Sequence, residues 1–183
     1  MQGKYAIEGH AIVSADDFIA GPDGVTPPSL RNDADWARFQ AALDAAAVTV
    51  LGRLGHETNA NAKGRNRLVV SSAAHGVERR ADAWWWNPAS APLADALAQA
   101  APSGGVVAVT GGIRVFDLFL ASGYDAFYLA RAHRVRIGDG IPIFGESAGG
   151  TGADAVLHRH GLRVRSTEIL DPQNEVTLTV WSA

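Results

Sequence analysis

The chain has 183 residues, of which 47% are hydrophobic and 19% charged, a length and balance that fit one folded domain and exclude a disordered chain. Its formal net charge of −3 argues against a general nucleic-acid or membrane-surface binder. There is no cysteine, which excludes disulfide scaffolds, thiolate zinc sites, thiol nucleophiles and iron–sulfur ligation together.

The N-terminal segment carries one Lys with no long apolar run behind it, so no signal peptide is expected. No stretch approaches the ~18 apolar residues of a membrane span, and a cytoplasmic location is the expectation. Residues 6–13 are short and apolar enough for a buried strand. It ends at Ser14-Ala15-Asp16-Asp17, before a loop built on Gly21-Pro22-Asp23-Gly24 and Pro27-Pro28. Asn32 or Asp33 can cap a helix in which Trp36, Phe39, Leu43 and Ala47 recur at spacings of three and four, which assigns Trp36 to the core. Buried strands follow at 48–51, stopped by Gly52, and at 68–70, stopped by Ser71-Ser72. Trp84-Trp85-Trp86 reads as a strand with one buried and one exposed face, a subunit contact or substrate wall, with ordinary edge packing as the alternative.

Residues 92–100 read as a helix with Pro near its first turn, and 106–109 as a strand. Beyond Gly111-Gly112, Val115, Phe116, Phe119 and Leu120 form the apolar face of another helix, and 126–130 is again a strand. Residues 162–170 and 175–181 flank Asp171-Pro172-Gln173-Asn174 as a β-hairpin. Strands separated by helices and closed by a hairpin give an α/β fold with a mixed sheet, as a single domain over 1–183.

Two turns carry chemistry. Thr110-Gly111-Gly112 joins a buried strand to a helix, where paired glycines admit close backbone approach and the helix N-terminus offers unpaired N–H groups to an anion. A tight turn without a ligand is the alternative. Gly52-Arg53-Leu54-Gly55-His56-Glu57 is the second turn, and Arg53 supplies a fixed charge that suits phosphate. Neither turn matches G-x-G-x-x-G or G-x-x-x-x-G-K-[ST], so neither a Rossmann fingerprint nor a P-loop is supported. Gly145-Glu146-Ser147-Ala148-Gly149 matches the G-x-S-x-G elbow. Pro142 interrupts the strand before it, however, and the glycines at 149–152 spoil the helix start after it. His158 and His160 can share one strand face, but no third ligand accompanies them and no metal is expected.

Taken together the turns resemble a known family. The run from Val109, V-T-G-G-I-R-V-F-D-L-F-L, resembles the second nucleotide-binding turn of dihydrofolate reductases. Gly52-Arg53 through Glu57, then Gly64-Arg65 and Leu68-Val69-Val70-Ser71-Ser72, resembles the first. Asp16-Asp17-Phe18-Ile19 is similar to the start of that family's mobile loop, and 27–36 to the segment leading into its substrate-contacting helix. Tyr128-Leu129 and Gly138-Asp139-Gly140 keep the order, so the resemblance covers residues 6–145. The pyrimidine reductase of riboflavin biosynthesis shares the fold, and its loop opening is similar to Ser14 through Ala20.

The resemblance implies a three-layer α/β/α architecture, with a mixed, mostly parallel central sheet closed by the C-terminal hairpin. It implies an NADPH-dependent reductase acting on a pterin C=N, with NADPH across the carboxyl ends of the central strands. Its pyrophosphate would meet the helix N-termini after Gly52 and Gly112, and Arg53, Ser71 and Ser72 would lie near the adenosine 2′-phosphate. Gly55, His56, Gly111, Ile113, Arg114 and Val115 complete the cofactor-binding turns, and Ile12, Ile19 and Ala20 would border the nicotinamide. Asp33 falls on the family's active-site acid, a buried carboxylate that pairs with the amino-amidine edge of a pterin. Arg65 falls where the glutamate carboxylate of folate is held. On residue chemistry alone, Asp33 is equally a helix cap, and Arg65 with Arg67 a solvated pair.

This sequence departs from the family at Gly55, Pro28, Ala37 and Ala130, where it has, respectively, a Thr, a Trp, an aromatic residue and a Thr. For the pyrimidine reductase, Asp17 replaces a loop Gly and His10 stands near a usual Lys. The expected partner is a small-molecule substrate, a pterin or related heterocycle, bound by a monomer or homodimer. Reduction of a phosphoribosylamino-pyrimidine, or NADP binding without turnover, are the alternatives.

Overall fold

Runs of Val, Leu and Ala with no polar alternation become strands covered on both faces, and the segments between them become the helices that cover them. The computed structural model describes residues 4–183. In chain order these form β1 (Tyr5–Ser14), β2 (Phe18–Ala20), α1 (Asp33–Ala45), β3 (Val48–Gly52), α2 (Arg53–Thr58), β4 (Arg67–Val70), β5 (Val77–Arg79) and β6 (Trp84–Trp86). There follow α3 (Leu93–Ala100), β7 (Gly105–Val109), α4 (Ile113–Ser122), β8 (Ala126–Ala132), β9 (Ile141–Pro142), α5 (Ala153–Arg159), β10 (Arg163–Asp171) and β11 (Val176–Ser182).

Nine strands make one sheet in the order β10-β11-β8-β1-β7-β3-β4-β6-β5, and β2 pairs separately with β9. The run from β8 to β6 is parallel, while β11 and β5 join its two sides antiparallel. The chain steps from β1 to β3 to β4 in one direction, then back from β6 to β7 to β8 in the other. Right-handed crossovers therefore put α1 and α2 on one face and α3 and α4 on the opposite one, a three-layer α/β/α domain. The C-terminal hairpin expected from Asp171-Pro172-Gln173-Asn174 is β10–β11.

The two faces differ. The α3–α4 face, which α5 extends, holds one continuous core that joins Val13, Leu68, Trp86, Val109, Phe116, Phe119, Phe127 and Leu157. Gly9 is part of this packing, since the ring of Phe127 fills the space a Cβ would need. The α1–α2 face holds two smaller clusters, Leu51/Val69/Ala74/Ala83/Trp85 and Leu30/Ala132/Val176, with polar side chains between them.

Three expectations are corrected. Trp36 is 59% exposed rather than core, because the buried stripe of α1 runs through Asp35 and Leu43, and Trp36 lies about 100° round the helix from Asp35. The helix also stops at Ala45, so Ala47 lies beyond it. Trp84-Trp85-Trp86 has no exposed face. β6 lies inside the sheet, Trp86 enters the large core and Trp85 the smaller one. His158 is on α5 and His160 just past its end, bonded to Glu146, so the two do not share a strand.

The segment after β1 is tied down at both of its aspartates. Asp16 accepts from Ser14 Oγ and from the N–H groups of Ile137 and Gly138. Asp17 pairs with Arg131 and accepts from the Ala153 N–H at the start of α5. Among the described residues no helix is long and apolar enough to cross a membrane.

Candidate active site

β3 and β7 are parallel neighbours, so their carboxyl ends fall at the same edge of the sheet and bring the two glycine turns into contact. The Gly52 N–H donates to Gly111 O at 2.9 Å, and the Thr110 N–H to Val50 O at 2.9 Å. Gly111 has φ +99°, and an added Cβ would stand 2.7 Å from the Phe116 ring, so only glycine fits. The Gly111–Gly112 peptide is cis. Gly112 is exposed, with open space where a side chain would be, and caps α4 without a side-chain bond. The N–H groups of Ile113 and Arg114 take no partner among the described residues, which leaves donors at the positive end of the helix. Val115 is buried and packs beneath Gly52.

β4 extends this edge, since Gly52 lies opposite Val70 and Ser71 follows directly. Ser71 is buried, with Oγ accepting from the Ala73 N–H at 3.2 Å, while Ser72 is exposed. Arg53 and Arg114 are exposed, Arg53 only loosely paired with Glu57 at 3.9 Å. Gly52, Ser72, Gly112 and the two arginines therefore share one rim. His56 does not join them through its ring. Arg67 Nη1 donates to Nδ1 at 3.2 Å, Nε2 meets Asp82 at 2.5 Å, and the ring stands edge-on to Trp85. Gly55 has room for a Cβ, 3.8 Å from Leu51.

Two carboxylates stand at the start of α1, the expected Asp33 and, two residues on, Asp35. Asp33 is exposed in the first turn of α1, and Asn32 is the cap, accepting from the Asp35 N–H at 3.1 Å. The buried carboxylate is Asp35, at 7% exposure. Arg38, one turn on, donates from Nη2 to Asp35 Oδ1 at 3.0 Å and from Nη1 to His10 Nδ1 at 3.4 Å. His10 stacks on Tyr128 at 4.8 Å, and Arg38 lies over the same ring. Burial pushes the Asp35 carboxyl above the ordinary carboxylate range, and the charge and hydrogen bond of Arg38 pull it part of the way back. Behind Arg38 a cleft of about 370 Å³ separates α1 from β1, β8 and the hairpin.

Arg65, expected at the substrate carboxylate, has partners of its own. Its guanidinium is held within the chain, by Asp44 Oδ1 at 2.6 and 2.9 Å and by Gln40 Oε1 at 2.8 Å, so a carboxylate already fills the expected role. Ile12 and Ile19 are half-buried but belong to different clusters, Ile12 beside Leu30 and Ile19 beside the large core. Ala20 is buried opposite Ile141 in the small ribbon. Sequence reasoning missed Asp35, Arg38 and His10 as a set. The available signals were the i, i+3 spacing of an acid and a base on α1, and the alternation that puts Glu8, His10 and Ile12 on one face of β1.

Comparison with protein-family models and with curated proteins gives no match. Among solved structures, the chain is similar to dihydrofolate reductase from Enterococcus faecalis, complexed with NADP(H) and RAB-propyl. The TM-score is 0.65 at 18% identity, over 97% of this chain and 95% of that one. A riboflavin biosynthesis protein from Shewanella sp. PV-4 gives 0.65 at 18% identity, over 97% and 98%. The diaminohydroxyphosphoribosylaminopyrimidine deaminase/5-amino-6-(5-phosphoribosylamino)uracil reductase from Thermotoga maritima gives 0.65 at 13% identity, where this chain covers 56% of that protein. The fold is therefore that of the dihydrofolate reductase-like proteins.

Proposed function

We propose that the protein is an NADPH-dependent reductase that delivers a hydride to a C=N carbon of a pterin or related heterocycle. The observation that carries this reading is the contact between the two glycine turns, Gly52 N–H to Gly111 O, beside the unpartnered N–H groups that open α4. The residues fit the cofactor, since the rim combines open backbone at Gly112 with free donors and two exposed arginines. The N–H groups of Ile113 and Arg114 would hold the pyrophosphate, and Arg53 with Ser72 the 2′-phosphate. NADPH, when bound, supplies the hydride. Ile12 and Ile19, from separate clusters, would border the nicotinamide and help to keep water from it. Asp35 would accept N–H donors of the heterocycle, and its burial favours sharing a proton with the ring nitrogen that is protonated as the hydride arrives.

A second reading, reduction of a phosphoribosylamino-pyrimidine, is favoured by the closure of Arg65 on Asp44, which removes the partner for a folate carboxylate. Loss of NADPH absorbance with dihydrofolate, and separately with the pyrimidine, separates the two. Turnover with the pyrimidine alone overturns the pterin assignment. Tight NADPH binding with turnover of neither leaves a dinucleotide-binding protein.

A further inference from the structure

Donor and acceptor chemistry fixes the order of the polar chain behind Asp35. A guanidinium only donates, so the bond from Arg38 Nη1 requires His10 Nδ1 to accept. The ring hydrogen of a neutral His10 then sits on Nε2, which faces Glu8 Oε2 at 3.6 Å. The His10 side chain is 1% exposed, and both His10 Nε2 and Arg38 Nε are buried without a hydrogen-bond partner among the described residues. Arg38 thus reaches Asp35 with one amino group and is held from behind by its other.

Asp35 uses only Oδ1 in this arrangement, and Oδ2 takes no hydrogen bond among the described residues. The cleft behind Arg38 is lined by Glu8 and His10 on β1, Tyr128 on β8 and Glu168 on β10, while exposed Asp33 and Asp171, which meets the cap Asn32, lie toward the helix start. Arg38 is the one Lys or Arg bonded to Asp35 among the described residues.

We propose that Arg38, held from behind by His10, is a positioning residue that fixes the Asp35 carboxylate with Oδ1 occupied and Oδ2 left for the ligand. The proposal rests on Asp35 being the acid of the reductase site. A merely structural Arg38 would shift the Asp35 titration through its charge alone, so Arg38→Lys and His10→Phe would titrate as the native chain does.

The test is the ¹³C titration of the Asp35 side chain in the full-length protein without ligand, for the native chain, Arg38→Met, Arg38→Lys and His10→Phe. Arg38→Met is expected to raise the midpoint by about one unit or more, a tenfold gain in proton affinity, with Arg38→Lys and His10→Phe between it and the native value. With NADPH and dihydrofolate, the pH of half-maximal turnover should move the same way, and kcat should fall more than KM rises. An Arg38→Met midpoint within ~0.3 unit of native overturns the proposal. If Arg38→Met does not fold, the other two variants decide, and native midpoints in both overturn it. If the native protein reduces no dihydrofolate, the pterin assignment fails on that count, while the carboxyl titration still decides the role of Arg38.

Discussion

Asp33 and Asp35 stand two residues apart at the start of one helix, and burial together with the Arg38 pair separates their surroundings. Asp33 is exposed, whereas Asp35 lies out of water with one oxygen bonded and one free. Asp35→Asn should therefore slow the hydride step by about 10²–10⁴-fold with NADPH affinity nearly unchanged. Asp33→Asn should leave turnover within about threefold and cost less than about 1 kcal/mol, since Asn32 already caps the helix. Single-turnover NADPH oxidation reads both, and equal losses in the two variants would remove Asp35 from the role. Asp16 makes a different kind of prediction. Burial raises its carboxyl, but hydrogen bonds from Ser14 and the N–H groups of Gly138 and Ile137 outweigh it and hold the group below the ordinary value. A lowered folded value means stability that is present above the unfolded value and lost as pH falls through the folded one. Asp16→Ala should cost about 1–2 kcal/mol at pH 7 and progressively less below about pH 4, as measured by urea unfolding across pH.

The strands of the parallel run and the hairpin followed from sequence because their causes are local, whereas the short β2, β5 and β9 did not. Unbroken apolar runs mark parallel strands, and paired glycines mark the sharp turn after β7. The phase of α1 was not legible, because spacings of three and four fit Trp36-Phe39-Leu43 as well as Asp35-Phe39-Leu43. Only the polar partners Arg38 and His10, one of them on a distant strand, tip the helix toward the second stripe. The faces of Trp84-Trp85-Trp86 were hidden because their burial depends on the layers that cover the sheet, the large core on the Trp84 and Trp86 side and the Leu51 cluster on the Trp85 side. Steric detail at the glycine turns now gives opposite forecasts for two glycines in them. Gly111→Ala meets both a positive φ and the Phe116 ring, and should cost about 2–4 kcal/mol. Gly55 sits in α2 with room beside Leu51, so Gly55→Thr should leave stability unchanged or about 0.3–0.5 kcal/mol higher. The new hydroxyl should also tighten NADPH binding, read by calorimetry. A destabilised Gly55→Thr would show that the turn has no such room.

The whole molecule sets one continuous apolar core against a face whose apolar clusters are divided by polar groups, and the proposed ligand rim lies where strand ends from that sheet converge. A ligand there binds the folded chain alone, because Gly52, Ser72 and Gly112 come from three strand ends that only folding assembles. NADPH at about 100 times its Kd should therefore add about 2.7 kcal/mol to stability, and for a domain of this size raise Tm by roughly 5–10 °C. NADH, which lacks the 2′-phosphate, should need a higher concentration for the same shift. Arg53→Ala should narrow that difference, since Arg53 is exposed at the rim and only loosely held by Glu57. Its other surroundings are solvent, so the substitution should leave the Tm of the unliganded protein unchanged. Equal shifts with NADPH and NADH in the native protein would remove Arg53 and Ser72 from the phosphate site, and no shift with either would remove the dinucleotide from the rim altogether.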